Sequence, residues 1–419
     1  MTRSLASGVL PTQYFRMRRS AAAAAGDSPI EFVYRYDRLP DSIGTVGIQV
    51  TVQLPSSITD FAFSLDHGAS LEETTGFEKA DGEHDFRWTQ TTRSPVFSYT
   101  ADVNRHGQEL GKLISVDTDS WALIDLNNPG FQFHYRWRGS DSDPGWIRSD
   151  KLPKSRGYAG YDLVFLGSPV EVTTQTIGGG QTLRVILPQV TKRSGLDNSP
   201  GDIVATIAAA ADELDVGARD REINLFLVTD PLAGGYTISN AGAAGRNRPD
   251  DIWMNESRPL DVPNNLWIHE YVHTRQEFRT TSETRWLIEG IAEYYGALLS
   301  WKQGHISEAD ARNYLQTQDD SDANLTDPSS WTGGNAAYTK GRRVVAALDG
   351  QIRRVTGGNA NFQTVFRRLN ARSGKLSYGD FKGLLATVAD SDVVAWLDKY
   401  VASSDVPDIP KDMLASQGG

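Results

Sequence analysis

The chain has no cysteine in its 419 residues. That excludes disulfide bonds, thiol catalysis and any thiolate-held zinc or iron–sulfur centre, so a metal would have to be held by histidine and carboxylate. Histidine is itself scarce, with seven in all, which makes the placement of each informative. Positive charge is in deficit: 42 Lys and Arg stand against 53 Asp and Glu, a formal net charge of -11. Like charges repel, so neither nucleic acid nor an anionic membrane surface is expected as a partner. Long hydrophobic runs are missing too, and no stretch approaches the roughly 20 apolar residues of a membrane-spanning helix. The first 28 residues carry Arg16, Arg18 and Arg19 ahead of Ala21–Ala25, too short an apolar run for an export signal. Residues 1–28 read as a mobile leader, and with the missing cysteines this tilts the expected compartment to the cytoplasm.

What is present is a globular composition, 39% hydrophobic and 10% aromatic, in a chain long enough for two or three domains. Residues 29–185 alternate in short runs rich in Val, Phe, Tyr, Trp and Thr: Glu31–Tyr36, Gly47–Leu54, Asp85–Thr89, Val96–Asp102, Phe131–Trp137, Asp162–Leu166 and Thr182–Leu187. Period-two alternation at this spacing predicts an antiparallel β-sandwich. Past Pro188 the texture changes. An alanine-rich helix is expected over Pro200–Val216, strands over Glu222–Val228 and Asp251–Asn255, and an irregular glycine-rich stretch over Ala233–Arg248. Helical spacing then dominates: Asn264–Phe278, Glu283–Ser300, Ser307–Gln316, Ala336–Val355, Asn361–Asn370, Tyr378–Val388 and Ser391–Val401, with Ser377 and Ser391 placed as N-caps. The expected architecture is α+β multidomain: sandwich over 29–185, a mixed α/β catalytic segment over 186–300 and a helical C-terminal part over 301–419.

The sequence His269-Glu270-Tyr271-Val272-His273 is a His-Glu-x-x-His motif on an expected helix. Residues four apart share a helix face, so both imidazoles can reach one ion while Glu270 stands beside a metal-bound water as general base. Zinc with two histidines needs a third protein ligand and an open position. Trp286-Leu287-Ile288-Glu289-Gly290-Ile291-Ala292-Glu293-Tyr294-Tyr295 supplies two acids on the next helix. Glu289 is the expected ligand, giving one zinc per chain. Glu293, one turn on, can accept from the second ring nitrogen of a ligand histidine, His269 foremost.

Together these motifs resemble the glycyl aminopeptidase family of gluzincin zinc metallopeptidases. A third element, Ala337-Tyr338-Thr339-Lys340-Gly341, is similar to the family's Tyr-x-Lys-Gly element. The resemblance implies a thermolysin-like catalytic domain behind a β-rich domain, a peptide substrate, and an oxyanion-binding role for Tyr338. Two features depart from the family. Gly234-Gly235-Tyr236-Thr237-Ile238 lacks the glutamate that suits recognition of a free amino terminus, leaving Glu256 as a substitute, and no PDZ module is recognisable. The functional expectation is a zinc aminopeptidase for small N-terminal residues. The alternatives are a zinc endopeptidase or oligopeptidase, and a β-sandwich binding protein with an inactive zinc site. Oligomeric state is not readable.

Overall fold

The computed structural model describes residues 14–21, 30–39, 41–42, 44–65, 69–80, 85–105, 116–117, 121–125, 133–139, 147–149, 163–167, 170–188, 198–218, 222–228, 237–238, 250–255, 258–317 and 336–410. The fold is α+β, and the chain divides into two compact units. The first spans Met1–Thr173 with Ile186–Lys192 and Val228–Tyr236; the second spans Thr174–Val185, Arg193–Leu227 and Thr237–Gly419. The segments set apart by sequence at residues 300 and 301 thus share one unit.

Among the described residues the first unit holds two five-stranded sheets and a four-stranded one ordered Leu163–Gly167, Trp121–Asp125, Val116–Asp117, Asn104–Arg105. Of the five-stranded sheets, one runs Tyr14–Ala21, Ile30–Arg38, Thr45–Gln53, Val96–Asp102, Ala69–Thr75 in spatial order, the other Ile147–Ser149, Phe133–Gly139, Ile58–Leu65, Asp85–Trp88, Phe77–Lys79. The inward residues of alternating strands, such as Phe32, Tyr34 and Tyr36 facing Phe61, Phe63 and Tyr135, form one apolar cluster. Burying them supplies the drive that holds the sheets together. Phe63 stacks on Phe97 at 3.8 Å between centroids and meets Phe77 at 4.9 Å. The leader is corrected in part: Tyr14–Ala21 pairs antiparallel with Ile30–Asp37 along its whole length.

A further five-stranded sheet, to which the second unit contributes most of the residues, is ordered Val170–Ile177, Gln181–Pro188, Glu222–Val228, Asp250–Asn255, Thr237–Ile238. Thr182–Leu187, assigned by its alternation to the sandwich, therefore belongs to this sheet instead. So does Thr237–Ile238, from the stretch expected to be irregular. The helices are α1 (Pro200–Glu213), α2 (Leu266–Thr274), α3 (Trp286–Lys302), α4 (Glu308–Gln316), α5 (Ala336–Val355), α6 (Phe362–Asn370), α7 (Tyr378–Val388) and α8 (Ser391–Val401). Ser377 caps α7 as expected, accepting from the Asp380 N–H. At α8 the cap is Asp390, whose carboxylate accepts from the N–H groups of Asp392 and Val393, so Ser391 is the first helical residue. Among the described residues no helix is long and apolar enough to cross a membrane.

Candidate metal centre

Three local devices set helix α2, which carries both histidines. Asn265 is fully buried at its start; its side-chain oxygen accepts from the Trp267 and Ile268 N–H groups at 3.0 and 3.3 Å, and its amide donates to Leu260 O. An Asn cap satisfies helix donors that would otherwise be orphaned in the interior. The Tyr271 hydroxyl donates to Gln181 Oε1 at 2.7 Å, tying the outer face of α2 to the sheet. The i, i+4 spacing then brings His269 and His273 to one side, with Nε2 atoms 3.0 Å apart.

Helix α3 lays Glu289 against them. Its Oε2 lies 3.4 Å from His269 Nε2 and 3.3 Å from His273 Nε2, and beyond those imidazoles this buried oxygen has no hydrogen-bond partner. The three ligand atoms lie within 4.8 Å of one another. Glu270, on the same turn of α2, brings a carboxylate oxygen to 4.0 Å from His273 Nε2. Glu293, one turn beyond Glu289, sits behind His269 with Oε1 3.0 Å from Nδ1.

The carboxylates and imidazoles of this cluster shift one another's protonation. Burial alone would lower the His269 pKa, but the Glu289 and Glu293 carboxylates, with Glu270, outweigh it and hold the imidazole well above its ordinary value. His273 is likewise raised against burial, chiefly by Glu289. Burial would raise Glu289, yet the two imidazoles keep its carboxyl well below the usual range. Two imidazoles and a carboxylate with their ligand atoms this close form a group that could hold a divalent ion, and two histidines with one glutamate are a ligand set suited to zinc.

Tyr338 lies in the first turn of α5. It is 40% exposed, and its ring lies parallel to that of His269 at 6.2 Å. Burial of its hydroxyl, then the Glu289 and Glu270 carboxylates and a hydrogen bond with Glu289, raise its pKa, so it remains a proton donor at any physiological pH. What lets the tyrosine come so near is a pair of glycines. A Cβ on Gly290 would stand 2.8 Å from the Gly341 carbonyl carbon, and one on Gly341 would stand 3.2 Å from Gly290 Cα. The backbones of α3 and α5 therefore touch where the two motifs cross.

The structure brings together all six residues singled out by sequence: His269, Glu270, His273, Glu289, Glu293 and Tyr338. Glu256 lies outside the described residues, as do Gly234, Gly235 and Tyr236. Three further residues had escaped notice. The Tyr314 hydroxyl, from α4, donates to Glu293 Oε2. Arg342 of α5 stands 3.8 Å from the same carboxylate and lies over the Tyr314 ring at 4.0 Å. Gln276, just past α2, places Oε1 3.0 Å from His273 Nδ1. None has a local motif; only the folded geometry joins them to the histidines.

Fold and site thus define a class: an α+β scaffold carrying a two-histidine, one-glutamate cluster that could hold a divalent metal. No protein-family model matches the chain, and no curated protein matches it. Among solved structures, it shares its fold with an aminopeptidase N family protein from Idiomarina loihiensis, at TM-score 0.54 and 12% identity over 90% of this chain and 73% of that one. An M1 zinc metallopeptidase from Deinococcus radiodurans is similar at TM-score 0.48 and 14% identity over 97% of each chain. Legionella pneumophila aminopeptidase A is similar at TM-score 0.44 and 12% identity, over 86% of this chain and 47% of that one.

Proposed function

We propose that the chain is a zinc-dependent metallopeptidase of the gluzincin type, working as an aminopeptidase on peptides with small N-terminal residues. One observation carries the reading: His269, His273 and Glu289 converge on one point while Glu270 flanks it and Tyr338 overhangs it. The fold shared with an aminopeptidase N family protein agrees with it, as does the sequence resemblance to glycyl aminopeptidases.

Zinc held by His269, His273 and Glu289 would supply acidified water and polarise the scissile carbonyl. The remaining work falls to the chain. Glu270 accepts a proton from the attacking water and returns it to the leaving amine. Tyr338, kept protonated by burial and its acidic neighbours, donates a hydrogen bond to the developing oxyanion. Glu293 holds His269 in the orientation that turns Nε2 to the centre, and is itself fixed by Tyr314 and Arg342.

The test is zinc content of purified wild type, Glu270→Gln and Glu289→Ala, with hydrolysis of glycyl and alanyl amides measured in parallel. About one zinc per chain in wild type and Glu270→Gln, and little in Glu289→Ala, is expected. Glu270→Gln should lose about 10²–10⁴-fold in kcat. A wild type that binds no zinc overturns the reading. Equal cleavage of free and N-acetylated peptides would keep the metal chemistry and replace the aminopeptidase with an endopeptidase.

A further inference from the structure

Behind each ligand histidine the second ring nitrogen meets a different kind of group. His269 has the Glu293 carboxylate, whereas His273 has the neutral amide of Gln276, which is 2% exposed. A side-chain amide can turn either its oxygen or its NH2 to a neighbour, and its identity here is settled by what lies on the other side. Gln276 Nε2 is 2.7 Å from the Ile288 carbonyl oxygen. A carbonyl oxygen only accepts, so the amide must present its NH2 to Ile288 and its oxygen to His273. That oxygen in turn accepts from Nδ1–H of His273. Nδ1 is thereby kept as a protonated nitrogen, and Nε2, 3.3 Å from Glu289 Oε2, is the nitrogen left to give up its proton to a metal.

Ile288 directly precedes Glu289 on α3, while Gln276 directly follows Arg275, the C-cap of α2. One side chain thus spans the two elements that carry the ligands. We propose that Gln276 is a positioning residue for the metal: it fixes the Nδ1–H tautomer of His273 and, through Ile288, the distance between the helix bearing both histidines and the helix bearing Glu289. This inference rests on the zinc-site reading above. The brace also explains a polar side chain placed in the interior, since each of its polar ends has a partner.

The experiment measures the zinc dissociation constant of the full chain by chelator competition in wild type, Gln276→Met and Gln276→Glu, with the melting temperature of each metal-free chain. Methionine keeps the length and removes both hydrogen bonds; zinc affinity should fall about 10–100-fold, the range for lost partners of ligand histidines. Glutamate keeps an acceptor for Nδ1–H and should retain affinity within about tenfold of wild type, a rescue by chemistry rather than by shape. A purely structural residue would give the reverse pattern, with a lowered melting temperature in both variants and an unchanged zinc constant, and that result overturns the proposal. If Gln276→Met does not fold, nitrogen-15 shifts of His273 in zinc-loaded wild type decide: protonated Nδ1 with coordinated Nε2 is required, and the opposite assignment sinks it. Wild type without measurable zinc binding would instead bring down the zinc-site reading itself.

Discussion

The first unit fills its interior with rings, and the second fills part of its interior with charge. In the sandwich, the core between the sheets is a continuous run of Phe, Tyr, Trp and aliphatic side chains. In the helical unit, His269, Glu293, Lys340, Arg342 and Asp349 are all buried beside the apolar residues. Each is matched. Lys340 donates to Ser403 O at 2.5 Å, and Asp349 accepts from Tyr294 Oη, Arg353 Nε and the Phe362 N–H. Apolar contacts are non-directional, so a sandwich core loses stability in proportion to what is removed. Buried charge is directional and paired, and removing one partner leaves the other stranded.

The largest stability effect expected from this contrast is in the sandwich. Phe63→Ala empties the space among Phe97, Phe77 and Phe86 and should lower unfolding free energy by about 3–5 kcal/mol. The zinc constant of the folded chain should not move; a parallel loss of zinc affinity, seen when denaturation and chelator competition are run side by side, would break the division. Next comes pH, to which the helical unit should respond through His269 and His273. In the metal-free chain the raised His269 and His273 values mean that both protons must leave before zinc binds. Below those raised values affinity should fall by up to a hundredfold per pH unit, about 2.7 kcal/mol for two displaced protons. Metal-free stability should run the opposite way: the histidine contribution is complete below about pH 6.5 and is lost as pH rises through the folded values. Zinc titrations and thermal melts from pH 5 upward check both signs. The smallest effect sharpens the comparison within the helical unit. Gly290→Ala drives a methyl into the Gly341 backbone and should cost about 1–3 kcal/mol. Because the helices must part, kcat should drop while zinc content holds. An unchanged kcat in a chain with a lowered melting temperature would separate the crossing from catalysis.

The site was legible because its chemistry is written at helical spacing: the motif on α2, the two acids on α3 and the tyrosine opening α5. The limits of α5, α7 and α8 followed from apolar periodicity and cap residues, and at α8 only the choice between adjacent Asp390 and Ser391 went astray. Strands were harder. Ile58–Leu65 is buried at four consecutive positions, Asp60–Phe63, which breaks the alternation that marks a strand. Ala69–Thr75 lies at a sheet edge with no fully buried residue and reads as polar loop. Thr182–Leu187 alternates well, but alternation does not say which sheet a strand joins. Gln276, Tyr314 and Arg342 were hidden for a related reason: each meets a partner far along the chain or around a turn, and no local spacing encodes that meeting.

The contact between Gly290 and Gly341 gives the two motifs a shared inheritance. Neither position has room to acquire a side chain by itself, because the obstacle is the other's backbone, which cannot rotate away as a side chain would. A drift that opened the crossing to admit even one methyl would carry Tyr338 away from Glu289 in the same movement. In a lineage of such chains the pair is therefore expected to behave as one locus, kept or lost together, and the sequence between them is free to change around it.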